Sequence, residues 1–225
     1  MPRGARRRNQ LEGDRLTLDS DTGHREDVAV GQPQARAAVA MWLRYLAAAW
    51  ALLYAVYRGY YALGGTAGMF GTPVSLSQWR LINGIAAVLL LLAAVLPLAT
   101  ARLWRQPRAR AVMLAVGWVI AVGCVMHALV DIANRLLSIA GVIHMEFPFF
   151  VAGSVDRRAA DAQDLFFNEP WFLIEGLLWG ALCLVELTSA RARRWWLASA
   201  LAAIAVLTLI GVLSGAGVIG RFIIG

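Results

Sequence analysis

The chain has 225 residues and a net charge of +7; 60% of its residues are hydrophobic and only 16% are charged. Soluble domains have roughly half apolar and about a quarter charged residues, so this composition excludes an ordinary soluble domain and indicates a membrane protein. All 21 basic residues are arginine. They cluster outside the apolar segments, where membrane topology accounts for them, so we expect no nucleic-acid partner.

The first 37 residues are polar and of mixed charge, and they show no apolar periodicity. Such a segment cannot bury enough apolar surface to fold. We therefore predict a disordered, arginine-rich cytoplasmic tail over residues 1–37, followed by one transmembrane domain over residues 38–225.

Five apolar segments follow this tail, and each approaches the roughly 20 residues that a membrane-spanning helix needs. They predict an all-α fold, a polytopic membrane helix bundle with spans at about 39–63, 81–101, 111–133, 170–188 and 195–219. The third span leads into His127, Asp131 and Arg135, and we expect the other four spans to pack around it. A long outer loop is predicted at about 136–168.

The distribution of arginine predicts the orientation of the bundle. The tail and the loops at 102–110 and 191–194 are rich in arginine, whereas the loop at 64–78 has no charge. Arginine concentrates on the cytoplasmic side. This pattern predicts a multi-pass protein of the cell (inner or plasma) membrane with its N-terminus inside and its C-terminus outside.

Polar side chains collect at the outer end of four of the predicted spans, where charge is costly unless it is paired or used. The candidates for an outward-facing ligand pocket are Arg58, Tyr54, Tyr57, Tyr61, Asn83, His127, Asp131, Arg135 and Glu175. The alternative is that these groups only pair with one another at the membrane surface, Asp131 with Arg135 and Glu175 with Arg58.

His127 and Asp131 are one helical turn apart, and together with His144, Glu146 or Glu175 they include the residue types that bind zinc. However, neither an HExxH sequence nor paired Cys and His spacing is present. From the sequence we therefore expect no metal and no cofactor.

Two small-residue spacings occur in the last two spans, Gly176-x-x-x-Gly180 and Gly211-x-x-x-Gly215. Glycines four residues apart allow helix backbones to approach closely. We expect these glycines to pack spans four and five against each other within one chain rather than to form a dimer.

The block RGYYALGGT, from Arg58 to Thr66, resembles one found in the DUF3995 family of uncharacterised actinobacterial integral membrane proteins. A second similarity is NEPWFL, from Asn168 to Leu173, followed by Gly176 and Gly180. The resemblance implies a small four- to five-helix membrane protein and brings no activity with it.

Three functions fit these observations. The first is a non-catalytic binding or transport-like protein with an outward-facing polar pocket for a small or lipid-like molecule. The second is a membrane-embedded enzyme that uses His127, Asp131 and Glu175 in acid–base or metal-assisted chemistry on a lipid or isoprenoid. The third is an accessory subunit of a membrane complex, which polar groups splayed into water would favour.

Overall fold

A computed structural model describes residues 34–69, 71–99, 101, 103, 106–144, 151–152 and 156–220. The described helices are α1 (Gln34–Ala62), α2 (Leu76–Ala99), α3 (Pro107–Ile139), α4 (Arg157–Gln163), α5 (Glu169–Glu186) and α6 (Ala190–Gly215). Contacts divide the chain into two units, Met1–Trp42 and Leu43–Gly225. Of the first unit, the structure describes residues 34–42, where α1 begins; the rest of the predicted tail lies outside the described residues.

Four helices, α1, α2, α3 and α6, are long and apolar enough to cross a membrane. They coincide with four of the five predicted spans. Their apolar side chains are widely exposed along the helices, as at Leu89, Val119 and Leu209. An apolar face left open to the surroundings is expected of a helix that lies in lipid, where no water penalises it. The all-helical architecture of a membrane bundle is thus confirmed.

The longest helix, α3, is the packing partner of both α5 and α6, which touch each other little. Of the four glycines that were expected to join spans four and five, Gly176, Gly211 and Gly215 face α3 instead. A Cβ on Gly176 would lie 3.0 Å from the backbone oxygen of Ala121, and one on Gly211 would lie 2.6 Å from Val130. Gly215 likewise abuts Asn134, whereas a Cβ on Gly180 would lie 3.8 Å from Ala121 of α3 and 3.9 Å from Trp196 of α6. The small residues let two helices approach one central helix.

Helix α5 runs antiparallel to α3 along most of its length. The start of α5 lies near His127, its Cys183 lies against Gly117, and the backbone oxygen of Glu186 accepts a hydrogen bond from Arg110. The carboxylate of Glu186 pairs with Arg44 of α1. Contacts at both ends therefore fix α5 between α1 and α3.

The predicted long loop is partly helical. Helix α3 continues to Ile139, and α4, capped by the Asp156 side chain, runs through a π-helical turn at Asp164–Asn168 into α5. Two short strands, β1 (Thr72–Pro73) and β2 (Val151–Ala152), pair antiparallel with Thr72 opposite Ala152. This ladder joins the α1–α2 loop to the α3–α4 connector.

Candidate functional site

Hydrogen bonds join α1 to α2 through Arg58. Its Nη1 donates to Oδ1 of Asn83 at 3.2 Å, and its Nη2 donates to the hydroxyl of Tyr54 at 2.8 Å. Asn83 is fully buried and donates in turn to the backbone oxygen of Trp79 at 2.9 Å. The Arg58 guanidinium also lies over the Tyr54 ring, 5.0 Å from its centre. The cation is thus held by an amide, a hydroxyl and an aromatic face.

The same chain of hydrogen bonds continues from Tyr54 to the π-helical turn and α3. The Tyr54 hydroxyl donates to Oδ1 of Asn168 at 3.2 Å, and Nδ2 of Asn168 donates to Asp164. Arg135 of α3 donates to Asp164 and to Oδ1 of Asp161, the latter at 2.7 Å. Side-chain hydrogen bonds therefore tie five helical elements together at one level: α1, α2, α3, α4 and the π-helical turn.

An aromatic group covers one side of this network. The rings of Trp50 and Trp171 stack with centres 4.2 Å apart, and Nε1 of Trp50 donates to the backbone oxygen of Trp171 at 3.0 Å. Tyr54 stacks on Trp171 at 5.1 Å and on Tyr57 at 5.5 Å. These aromatic residues of α1 therefore pack against the start of α5.

Tyr57 and Tyr61 differ in what they bind. The hydroxyl of Tyr57 accepts a hydrogen bond from Nε2 of Gln163 at 2.6 Å, which connects α1 to α4. Tyr61 is buried and donates to the backbone oxygen of Ala67 at 3.0 Å, so it fixes the loop after α1. Tyr61 thus serves the loop rather than the polar network.

A histidine and two carboxylates converge where α3 meets the start of α5. Nε2 of His127 lies 3.7 Å from Oδ2 of Asp131 and 3.9 Å from Oε2 of Glu169. One ligand atom from each of the three residues lies within 4.8 Å of the other two. The side chains of His127 and Asp131 are 48% and 33% exposed, whereas that of Glu169 is 4% exposed. We call these three residues the His–Asp–Glu cluster.

Two predicted ion pairs are wrong. Arg135 binds Asp161 and Asp164 rather than Asp131, which lies beside His127. Glu175 does not pair with Arg58. It accepts a hydrogen bond from Nε1 of Trp179 at 2.9 Å, and its Oε2 accepts none from the described residues.

Glu175 also lies away from the His–Asp–Glu cluster. It is six residues after Glu169 on α5, which corresponds to a rise of about 9 Å and a turn onto another face of the helix. The acid that joins His127 and Asp131 is therefore Glu169. Its position at the start of a helix suggests only a favourable helix-dipole interaction, because acids are common there. Asp161 of α4 was also missed, as were Asp164 and Asn168, which lie in a π-helical turn that has no clear sequence signal.

The net charge around the cluster is negative. Four acidic residues, Asp131, Glu169, Asp161 and Asp164, lie here, and the guanidinium of Arg135 is already bound by two of them. Oε2 of Glu169 is buried and accepts no hydrogen bond from the described residues. A buried carboxylate oxygen left in this way attracts a cation or a hydrogen-bond donor strongly.

Comparison of the chain with family models, with curated proteins and with solved structures finds no match. The resemblance to the DUF3995 family therefore stays a prediction.

Proposed function

We propose that the chain is a five-span protein of the cell membrane that binds a small or lipid-like molecule without catalysis at the outer end of α1, α3 and α5. The group it recognises on that molecule carries a positive charge. The observation that carries the proposal is the His–Asp–Glu cluster, which presents partly open ligand atoms beside a buried, unbonded carboxylate oxygen.

In this proposal α5 is the fifth span. It contains three glutamates, but it extends from one end of the bundle to the other. Its 18 residues extend about 27 Å, close to the roughly 30 Å of the hydrocarbon core. Its start lies level with His127 and its end lies level with Arg110, the two ends of the apolar part of α3. Each glutamate faces protein, as membrane-embedded acids usually do: Glu169 faces the cluster, Glu175 faces Trp179, and Glu186 faces Arg44.

Two contacts support the proposed alternation of loops. The β1–β2 ladder requires the α1–α2 loop and the α3–α4 connector to lie on the same side of the membrane. Arg44, Arg110 and Glu186 meet at the opposite end of the bundle, where arginine predicts the cytoplasm. Five crossings with the N-terminus inside satisfy both contacts and leave the C-terminus outside.

In this proposal, water and lipid headgroups can reach the site. The 33 residues of α3 extend about 50 Å, well beyond the hydrocarbon core, so its last turns project from the membrane. His127 and Asp131 lie just before these turns and remain partly exposed. A ligand could therefore enter from the outer surface without crossing lipid.

The two other functions have less support from these contacts. An enzyme that used Glu175 with His127 and Asp131 would need this acid beside them, and Trp179 holds it elsewhere. An accessory subunit would leave its polar groups open to water, whereas Arg58, Arg135 and Asn168 are each bound within the bundle.

Native mass spectrometry tests the proposal on the full chain in mild detergent, after incubation with phosphatidylethanolamine or phosphatidylglycerol. The amine of phosphatidylethanolamine supplies the cationic group. We expect the wild type to retain phosphatidylethanolamine preferentially, and we expect Glu169→Gln to abolish this preference.

Glu175→Gln is the matched control, because its amide oxygen can still accept the hydrogen bond from Trp179 and the residue lies outside the cluster. It should leave the preference unchanged. Equal retention of the two lipids by the wild type, or the same preference in Glu169→Gln, would contradict the proposed cation-recognising site.

A further inference from the structure

The separations within the His–Asp–Glu cluster are close to those of a metal-binding triad. A zinc ion about 2.1 Å from each of its ligands in a tetrahedral site places those ligands about 3.4 Å from one another. The ligand atoms here are 3.7 and 3.9 Å apart from His127 to the two acids, and within 4.8 Å overall. Side-chain movements of less than about 1 Å would therefore complete the geometry.

An independent observation points to a cation in the same place. Oε2 of Glu169 is buried, belongs to a residue with only 3% of its surface exposed, and accepts no hydrogen bond from the described residues. It is directed at His127 Nε2, which lies 3.9 Å away. A metal ion between them would satisfy both this oxygen and the imidazole nitrogen.

The two neighbouring arginines, Arg135 and Arg58, are bound to other groups. Arg135 is engaged by Asp161 and Asp164, and Arg58 is engaged by Asn83 and the Tyr54 hydroxyl. The Phe172 ring packs edge to face against His127, with ring centres 4.5 Å apart, and closes one side of the cluster with an apolar surface. The ion pairs and hydrogen bonds of these two arginines are thus made with groups outside the cluster.

We propose that His127, Asp131 and Glu169 bind a divalent transition-metal ion of the zinc class. The inference rests on the proposed function in that it uses the same cation-attracting site, in which a metal ion and an ammonium group are alternative occupants. One imidazole and two carboxylates suit zinc, whereas calcium and magnesium prefer oxygen ligands alone. The partial exposure of His127 and Asp131 leaves room for a water or a ligand group in the fourth position.

Isothermal titration calorimetry tests the inference on the full chain, prepared without a polyhistidine tag, in detergent and freed of metal by a chelator. We expect zinc chloride to bind with one ion per chain and magnesium chloride to give no comparable heat. His127→Ala, Asp131→Asn and Glu169→Gln should each weaken zinc binding by at least about 100-fold, because loss of an outer-shell partner alone costs about 10–100-fold.

His144→Ala and Glu175→Gln are the matched controls, since both residues are of the same types but lie outside the cluster. They should bind zinc as the wild type does. Cobalt chloride gives a second readout, because four-coordinate cobalt absorbs visible light strongly, and this absorption should disappear in Glu169→Gln. The elution volume in size-exclusion chromatography shows whether each variant is still folded.

Failure of this inference can be told apart from failure of the proposed function. If zinc does not bind, or binds all three cluster variants as tightly as the wild type, the metal site is ruled out. If the lipid preference still depends on Glu169 in that case, the cation-recognising site stands with an amine as its ligand. If neither zinc nor the lipid depends on Glu169, both proposals fall.

Discussion

Arg58 donates a hydrogen bond to the hydroxyl of Tyr54 at 2.8 Å, one helical turn before it on α1. This single hydroxyl also donates to Asn168, so it joins the α1–α2 side of the network to the side that contains α3 and the π-helical turn. The Tyr54 ring is buried, with 1% of its surface exposed. Loss of the hydroxyl would leave two partly buried polar groups, on Arg58 and Asn168, without this partner.

Tyr54→Phe should therefore destabilise the fold by about 1–3 kcal/mol, the usual cost of a buried polar group that loses its partner. The stacking with Trp171 remains in this variant, so the change isolates the hydroxyl. The midpoint of thermal unfolding in detergent should fall by several degrees. Tyr45→Phe is the control, because Tyr45 is 54% exposed. Equal midpoints for the two variants would show that the hydroxyl adds no stability.

Arg135 joins α3 to α4 and to the π-helical turn, because its guanidinium binds both Asp161 and Asp164. Arg135→Leu should cost about 3–5 kcal/mol, because it leaves two half-buried carboxylates facing each other. Arg135→Lys should fall between the wild type and the leucine variant, because an ammonium keeps the charge and loses the planar fork that reaches both acids. Thermal unfolding in detergent measures this order, and Arg194→Leu at an exposed position serves as the control. An unchanged midpoint in Arg135→Leu would mean that the pairs contribute nothing.

The sequence predicted four of the spans and the end of the bundle at which polar groups collect. Both follow from the lengths of the apolar segments and the positions of the charged residues, which are read directly from the chain. The sequence did not predict which groups the polar side chains bind. Arg135 binds Asp161 of α4 and Asp164 of the π-helical turn rather than Asp131.

Glu169 illustrates the same limit at the candidate site. An acid in the first turn of a helix is ordinary, and only the antiparallel packing of α5 on α3 places it beside His127. The expected pairing of Glu175 with Arg58 failed for a related reason. Trp179, one turn further along α5, satisfies one oxygen of Glu175 within the same helix.

The packing of α5 on α3 predicts opposite outcomes for two glycines of one motif. A Cβ on Gly176 would lie 2.7 Å from Val125 and 3.0 Å from the backbone oxygen of Ala121, which cannot move aside easily. Gly176→Ala should destabilise the fold by about 1–3 kcal/mol, the cost of overpacking. A Cβ on Gly180 meets only ordinary contacts at 3.8 and 3.9 Å.

Gly180→Ala should consequently be neutral or stabilising, because alanine favours a helix over glycine by about 1 kcal/mol. Unfolding midpoints of the two variants in the same detergent make the comparison, and Gly123→Ala, where a Cβ meets open space, provides a further reference. If both motif variants lost the same stability, the close approach at Gly176 would not exist. Chemical crosslinking should show the wild type and both variants in the same oligomeric state, because these glycines face α3 of the same chain.

The side of the membrane on which the C-terminus lies depends on whether α5 crosses the membrane. If α5 is the fifth span, a reporter fused after Gly225 lies outside the cytoplasm, whereas one fused before Met1 lies within it. If only α1, α2, α3 and α6 crossed, both ends would lie on one side.

Paired fusions with alkaline phosphatase, active outside, and green fluorescent protein, fluorescent inside, distinguish the two arrangements. We expect phosphatase activity and no fluorescence at the C-terminus, because Glu169 lies beside His127 near one end of α3 and Glu186 lies beside Arg44 and Arg110 near the other. A fusion in the loop at residue 104 is the internal control and should read cytoplasmic. A fluorescent C-terminal fusion would place both ends inside and would remove α5 from the set of spans.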